Sequence, residues 1–333
     1  MLFVKRPVGE ADDSCFRLEE CAVPPLGDGE ILIKTLWLSV DPYMRGRMNA
    51  TVTYAKPLAP GEVMIGESAG VVLASRSDRY RPGDYVTAHK GWQSLIVAAA
   101  DEPAVRKVDV GKAPLTAYLG AVGMTGRTAY FGLLKVGKPR AGEALVVSSA
   151  AGAVGSVAGQ IGLRKGLRVI GIAGGAEKCR YVTDVLGFHA CLDYKQGRLS
   201  EALREACPQG IDIYFENVGG DVTRAVAPLL NPGARVPICG YISDYNAGDF
   251  TTVERPADIL RKLDPVPEHR FFTVTEWVGR WPEATAQLCQ WLAAGELHYH
   301  ETIGTGLERA PQLLRDVLQG RNFGKQLVKV AEE

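Results

Sequence analysis

The sequence predicts an α/β chain in two parts: a β-barrel-like module carried by the two ends, and a doubly wound parallel sheet carried by the middle. Three observations lead there. The hydrophobic period changes near residue 123, from short apolar runs broken by turn clusters to longer segments of helical spacing. From residue 144 onward, apolar strands alternate with helices of about 10–15 residues, the pattern of a parallel sheet covered on both faces. Within that alternation one strand–turn–helix passage, LVVSSAAGAVGSVAGQIGLRKG from Leu145, carries small residues wherever the chain must turn tightly.

Up to about residue 110 the runs EILIKTLWLSV, GVVLASR, YVTAH and QSLIVA read as strands. Pro82 and Gly83 in RPGD mark a turn before YVTAH. MTGRTAYFGLLKVG then reads as a helix, with Thr125 as its N-cap and Gly137 as its stop. ALVVSSA, RVIGIAG, ACLDY, IDIYFENVG and ARVPICGYI follow as strands. VGSVAGQIGLRKG, EKCRYVTDVLG, LSEALREACPQG and VTRAVAPLLNPG are the helices between them. WPEATAQLCQWLAAGEL is an amphipathic helix, and the mixed strands and helix after it read as rejoining the first module. The expected domains are 1–122 with 297–333, discontinuous, and 123–296 inserted between them.

Composition narrows the function classes. A length of 333 residues suits about two domains. Lys plus Arg and Asp plus Glu balance at 38 each, so there is no basic stripe for nucleic acid. No window approaches the ~20 apolar residues of a membrane-spanning helix. The N-terminus lacks the apolar core and cleavage site of a secretory signal. The seven cysteines are irregularly spaced without a CxxC, which reads as reduced, mostly buried thiols. A cytoplasmic protein is expected.

The passage from Leu145 is the sharpest chemical signal. Ala150, Gly152 and Gly155 occupy the three positions of a G-x-G-x-x-G turn, with Ala153 and Val154 between the glycines. Small residues let the backbone approach a pyrophosphate, and the helix that follows offers free N–H groups and a positive dipole end. The next strand selects the cofactor. An NAD site ends that strand with an acid that binds the ribose hydroxyls. Here Gly174 and Gly175 stand in its place and Lys178 follows within a turn. Loss of the acid and gain of a lysine favour a 2′-phosphate, hence NADP(H). Arg180 reads as a solvated helix residue.

At this point the residues match a known pattern. LWLSVDPYMRGRM (36–48), GEVMIGESAGVV (61–72), GMTGRTAYFGLL (123–134), AAGAVGSVAGQIG (150–162), AGGAEKCRYV (173–182), DIYFENVGGDV (212–222), ICGYISDYN (238–246) and GRNFGKQLVKV (320–330) occur in order along nearly the whole chain. The chain resembles the zinc-independent medium-chain dehydrogenase/reductase superfamily. Within it, the chain is similar to the branch of prostaglandin reductases, leukotriene B4 12-hydroxydehydrogenase, plant double-bond reductases and bacterial curcumin reductase. The resemblance implies a GroES-like barrel domain beside a Rossmann domain, with the active site between them. It implies cofactor contacts from Gly152 to Gly155, Lys178, Tyr194, Asn217, the run from Cys239 through Gly240 and Ser243 to Tyr245, Phe272, Thr273, Val274 and Asn322. The stretch around Phe272 would wall the nicotinamide. KLDPVPEHRFF departs from the family pattern, which leaves substrate specificity open there. A homodimer is implied, through Rossmann edge strands near 236–260.

Zinc alcohol dehydrogenases of this fold use an early cysteine and a histidine in a GHE motif. Asp41 and Gly66 stand at those places here, so no metal is expected. His298 and His300 read as surface histidines. Without metal, a conjugated enone is the easier acceptor. Hydride adds at the β-carbon, and hydrogen-bond donors take up charge on the oxygen. The expectation is an NADP-dependent reductase of the C=C bond of α,β-unsaturated ketones or aldehydes, an electrophilic alkene as its small-molecule substrate. Tyr54 is the candidate catalytic donor to the enolate. Tyr54, His89, Trp92 and Tyr245 are the candidate substrate-side residues, while Tyr43 and Arg45 read as structural. An NADPH:quinone oxidoreductase is the alternative, and a non-catalytic NADPH-binding protein the distant one.

Overall fold

The computed structural model describes residues 1–51, 55–247 and 253–332. The chain forms two compact units. The first is built chiefly from Met1–Gly120 and Glu301–Glu333, the second from Ala121–Asp244 and Thr251–His300.

The strand Glu30–Val40 is the backbone of the first unit. It pairs antiparallel with Ser68–Ser75, Leu95–Ala99 and the C-terminal strand Lys325–Lys329, inside a seven-stranded sheet. Its sequence alternates, but the phase slips. Ile31 and Ile33 are buried, then Leu36, Leu38 and Val40. Register shifts against Ser68–Ser75 fall between Leu32 and Ile33 and between Thr35 and Trp37. Such irregularities bend a strand and change the face a side chain takes. One strand therefore serves two apolar clusters: Ile31 and Ile33 with Val86 and Ile96, and Leu36 with Leu119 and Leu327.

The second unit holds a six-stranded sheet of β1 (Ala144–Ser148), β2 (Arg168–Ala173), β3 (Ala190–Asp193), β4 (Ile211–Phe215), β5 (Leu230–Ile238) and β6 (Glu268–Phe271). All neighbours are parallel, in the order β3-β2-β1-β4-β5-β6. The crossovers carry α1 (Gly155–Arg164), α2 (Ala176–Asp184), α3 (Leu199–Ala206) and α4 (Gly220–Val226). β1 and β4 are apolar almost throughout because both of their faces are covered. The order reverses between β1 and β4, and ligands bind outside the carboxyl ends of strands at such a switch point. Glycine sets the helix–sheet spacing. A Cβ on Gly159 would fall 1.8 Å from the Phe188 ring, and one on Gly162 2.6 Å from Leu145.

Three local expectations change. The helix near 123 starts at Met124 with Gly123 as N-cap and continues past Phe131 as a π-helical turn to Gly137, the expected stop, but the Thr125 hydroxyl is buried without a hydrogen-bond partner instead of capping. The predicted helix VTRAVAPLLNPG stops early, because Leu230 already begins β5. The strand through 236–238 is not an edge. β5 is paired on both sides, and β6 is the outer strand. Among the described residues no helix is long and apolar enough to cross a membrane.

Candidate active site

At the end of β1 the chain turns at Ser149, one of two non-glycine residues with positive φ among the described residues (52°). The turn is closed by Gly152 N–H donating to the Ser149 carbonyl at 2.9 Å. Gly155 then starts α1 so close to the turn that a Cβ would lie 2.3 Å from the Ser149 carbonyl oxygen. A Cβ on Gly152 would meet the Ser149 hydroxyl at 2.7 Å. Ala153 and Val154 complete the turn, with no side-chain cap on the helix start. The first N–H groups of α1 are thus left without side-chain acceptors, as an anion-binding turn requires.

At the end of β2, Gly174 lies under the side chains of the next strand end. A Cβ there would meet the Tyr194 ring at 2.8 Å and Lys195 Cε at 3.0 Å. Asp193 fixes this corner: its Oδ1 accepts Gly175 N–H at 2.8 Å and Lys195 N–H at 3.0 Å. These backbone bonds, that from Gly175 first, hold its carboxyl below the usual range. Lys178, in the first turn of α2, has its pKa lowered, first by burial and then by the like charge of Lys195, while Glu177 opposes both. Lys195 thus adds a second positive charge that acts on Lys178, where the acid of an NAD site would stand. Lys195 is the residue that sequence reasoning missed. Its signal was adjacency: it follows Tyr194 in the LDYK segment. Arg180 is exposed on α2.

At the ends of β4 and β5, Asn217 is clamped to β1. Its Nδ2 donates to the Ser148 carbonyl and its backbone N–H to Ser148 Oγ, each at 2.7 Å. Cys239 and Gly240 donate to the Glu216 carbonyl, Ile242 to that of Asn217, and Ser243 to that of Val218. Gly219, at φ 83°, leaves room for this run: a Cβ would meet Tyr241 Cβ at 2.9 Å and Asp244 Oδ2 at 3.0 Å. Burial pushes the Cys239 thiol up to about 12, with the Glu216 charge adding to the shift. It is not a nucleophile at neutral pH.

Phe272 packs inward. Its ring is buried, edge-on to Phe215 at 6.2 Å and against Gly132, where a Cβ would come within 2.3 Å. The ring belongs to the core, which leaves the backbone of Phe272 to Val274 and the partly exposed Thr273 side chain to meet a ligand. Thr273 opens the next helical turn, its N–H donating to Glu276.

In the first unit, Tyr54 lies outside the described residues. Arg6 donates to the carbonyls of Met48 (2.9 Å), Asn49 (2.9 Å) and Leu58 (2.8 Å). Arg45 is fully buried, which lowers its pKa to about 10; it donates to Asn49 Oδ1 and the Gly9 carbonyl. His89 is exposed, its Nε2 3.0 Å from the Tyr43 hydroxyl. Trp92 departs from its expected place on a substrate surface. It is fully buried, stacked on Phe16 at 5.8 Å, and packed so tightly on Gly66 that a Cβ there would lie 2.8 Å from the indole. Asp41 is also buried. It faces the Lys325 ammonium at 3.0 Å and hydrogen-bonds the Ser39 hydroxyl. Asn322 donates to the Gly324 carbonyl at 2.9 Å, closing the turn before Lys325–Lys329. Among the described residues no three His, Cys, Asp or Glu side chains gather as a metal site would require.

Comparisons with known proteins fit this geometry. Residues 1–108 match the family model described as the N-terminal domain of oxidoreductase, and residues 153–262 the one described as zinc-binding dehydrogenase. The NADPH-dependent curcumin reductase of Escherichia coli is 44% identical, over 99% of this chain and 96% of that protein. Prostaglandin reductase 1 of Rattus norvegicus is 40% identical, over 96% of this chain and 95% of that protein. The crystal structure of CurA from Vibrio vulnificus in complex with NADPH superposes with a TM-score of 0.93 at 43% identity, covering 100% of this chain and 99% of that one. With a glycine turn, a 3-2-1-4-5-6 parallel sheet and full-length likeness to these enzymes, the chain belongs to the medium-chain dehydrogenase/reductase superfamily, in the branch of the curcumin and prostaglandin reductases.

Proposed function

We propose that this chain is an NADPH-dependent oxidoreductase that reduces the C=C bond of α,β-unsaturated ketones and aldehydes. The observation that carries the cofactor half is the basic corner at the end of β2, where Lys195 packs over Gly174, its like charge acts on Lys178, and an NAD-selective acid is absent. The likeness to a curcumin reductase and a prostaglandin reductase supports the substrate half.

The donor set fits the cofactor. The Ser149–Gly155 turn presents N–H groups to a pyrophosphate. Lys178, Lys195 and the Tyr194 hydroxyl would hold the 2′-phosphate. Asn217, the 239–243 run and the backbone of 272–274 would line the nicotinamide end; Tyr245 and Asn322 remain candidate cofactor contacts. Bound NADPH supplies a hydride. The chain's own task is to fix the enone in place and to offer donors to its carbonyl oxygen, where negative charge collects as the alkene is reduced. Tyr54 is the candidate for that donor; Tyr245 and the exposed His89 are the other substrate-side candidates. Zinc has no part in this reading. Asp41 is neutralised by Lys325, and Gly66 has no room for a larger side chain beside Trp92.

A panel of alkenals, cyclic enones and quinones, followed by NADPH oxidation and product identification, tests the proposal. Saturated carbonyl products with NADPH, and slow turnover with NADH, are expected. Turnover of quinones with every alkene left intact would sink it. A cytoplasmic homodimer accompanies this reading, with β6 as the strand whose outer edge is open to a second copy. Sedimentation should then give twice the 35.9 kDa chain mass; a single-chain mass would remove the dimer.

A further inference from the structure

Glu216 directly follows β4 at the switch point of the sheet, and it is fully buried. A buried carboxylate is tolerated only when its lone pairs are met. Five donors meet them here. Oε1 accepts from Ser148 Oγ at 2.9 Å, Val218 N–H at 2.6 Å and Gly219 N–H at 3.1 Å. Oε2 accepts from the Tyr214 hydroxyl at 2.7 Å and from the Thr223 hydroxyl.

The two oxygens have different clients. Oε2 is held by side chains from β4 and α4, which belong to the core. Oε1 gathers the loop 217–219, the start of the crossover into α4, where Gly219 and Gly220 both have positive φ. Ser148 Oγ links the two halves of the arrangement, since it donates to Oε1 and accepts from Asn217 N–H. The backbone of Glu216 completes it. Its carbonyl takes Cys239 N–H at 2.8 Å and Gly240 N–H at 3.3 Å, so the run 239–243 is built on the same residue. The carboxylate serves the loop.

We propose that Glu216 is a positioning residue for the nicotinamide end of the cofactor. Its Oε1 sets the shape of 217–219, against which 239–243 is hydrogen-bonded, and it does so without touching the ligand. This rests on the reading of the site as an NADPH site.

The test measures the Kd for NADPH and for NADH by quenching of protein fluorescence, with thermal unfolding recorded in parallel. Glu216→Leu leaves two loop N–H groups and three hydroxyls without their acceptor. It should raise the Kd for both nucleotides about tenfold or more, with their ratio unchanged, because the 2′-phosphate corner at 174–195 is untouched. Glu216→Gln can turn its carbonyl to the loop and its NH2 to the two hydroxyls, and should stay within about threefold of wild type. A folded Glu216→Leu protein with wild-type Kd overturns the proposal, as does a Glu216→Gln protein that loses as much as Glu216→Leu. Should Glu216→Leu fail to fold, Ser148→Ala decides. It removes the hydroxyl between Oε1 and Asn217 and should raise both Kd values about threefold or more, whereas wild-type values overturn the proposal. Wild-type protein that binds no NADPH is a separate outcome, and it removes the parent reading along with the proposal.

Discussion

Replacing Lys178 by alanine is expected to raise the KM for NADPH by about 10- to 100-fold while the KM for NADH stays within about twofold, the range of a hydrogen bond to a charged group. Lys178 is half-buried beside Lys195, and its pKa is lowered by that burial and that neighbour. Without an anion the pair repels; a 2′-phosphate turns the repulsion into two charge-assisted contacts. The sign for pH follows. The attraction needs the ammonium form, so NADPH affinity is present below the pKa of Lys178 and is lost as pH rises through it. That pKa lies below the ordinary lysine value of 10.5 when the site is empty, and a bound phosphate draws it upward. Lys195 is exposed, so Lys195→Ala should cost less than Lys178→Ala. The two losses should not add, because removing one cation relieves the other. Steady-state kinetics with both nucleotides for the two single variants and the double variant measure all of this. An unchanged NADPH-to-NADH preference in Lys178→Ala would remove the phosphate site from this corner.

The second large effect lies in the first unit. Lys325→Met should destabilise the protein by about 3–5 kcal/mol, the usual result of stripping one partner from a buried ion pair. Lys325 and Asp41 side chains are 3% and 5% exposed, and the ammonium also donates to the carbonyls of Val40 and Gln326. At about 2–4 °C per kcal/mol for a unit of this size, the Tm should fall on the order of 10 °C. Replacing both partners, as Asp41→Leu with Lys325→Met, should recover much of the loss, because no buried charge then remains. Thermal unfolding of the single and double variants checks this. A single variant that melts within 2 °C of wild type, on the order of the error of such a measurement, would show that Asp41 finds another partner. The pair also joins distant parts of the sequence, since it fastens the C-terminal strand to Glu30–Val40.

How far the candidate site could be read in advance varies by residue. Gly152, Gly155, Gly174 and Lys178 were legible because their demands are local. A tight β–α turn needs small residues within a few positions, and the missing acid is visible at a fixed offset. Lys195 and Glu216 were present in the motifs but carried no local signal. A lysine after a tyrosine, or an acid at the end of an apolar strand, acquires meaning only when β3 is laid beside β2 or when Ser148 of β1 comes within 2.9 Å. The burial of the Phe272 and Trp92 rings was hidden for the same reason. An aromatic in a loop reads the same whether it faces a ligand or the core, until Gly132 and Gly66 are found beneath the rings.

The sequence by itself determined the class of each half, the alternation that makes the parallel sheet, and the small-residue turn at Ser149–Gly155, since hydrophobic period and backbone sterics act over a few residues. Only the tertiary structure decided which charges meet: Lys178 with Lys195, Asp41 with Lys325, Glu216 with its five donors. Those meetings join residues up to 284 positions apart, and the energy of a buried charge depends on what surrounds it in space.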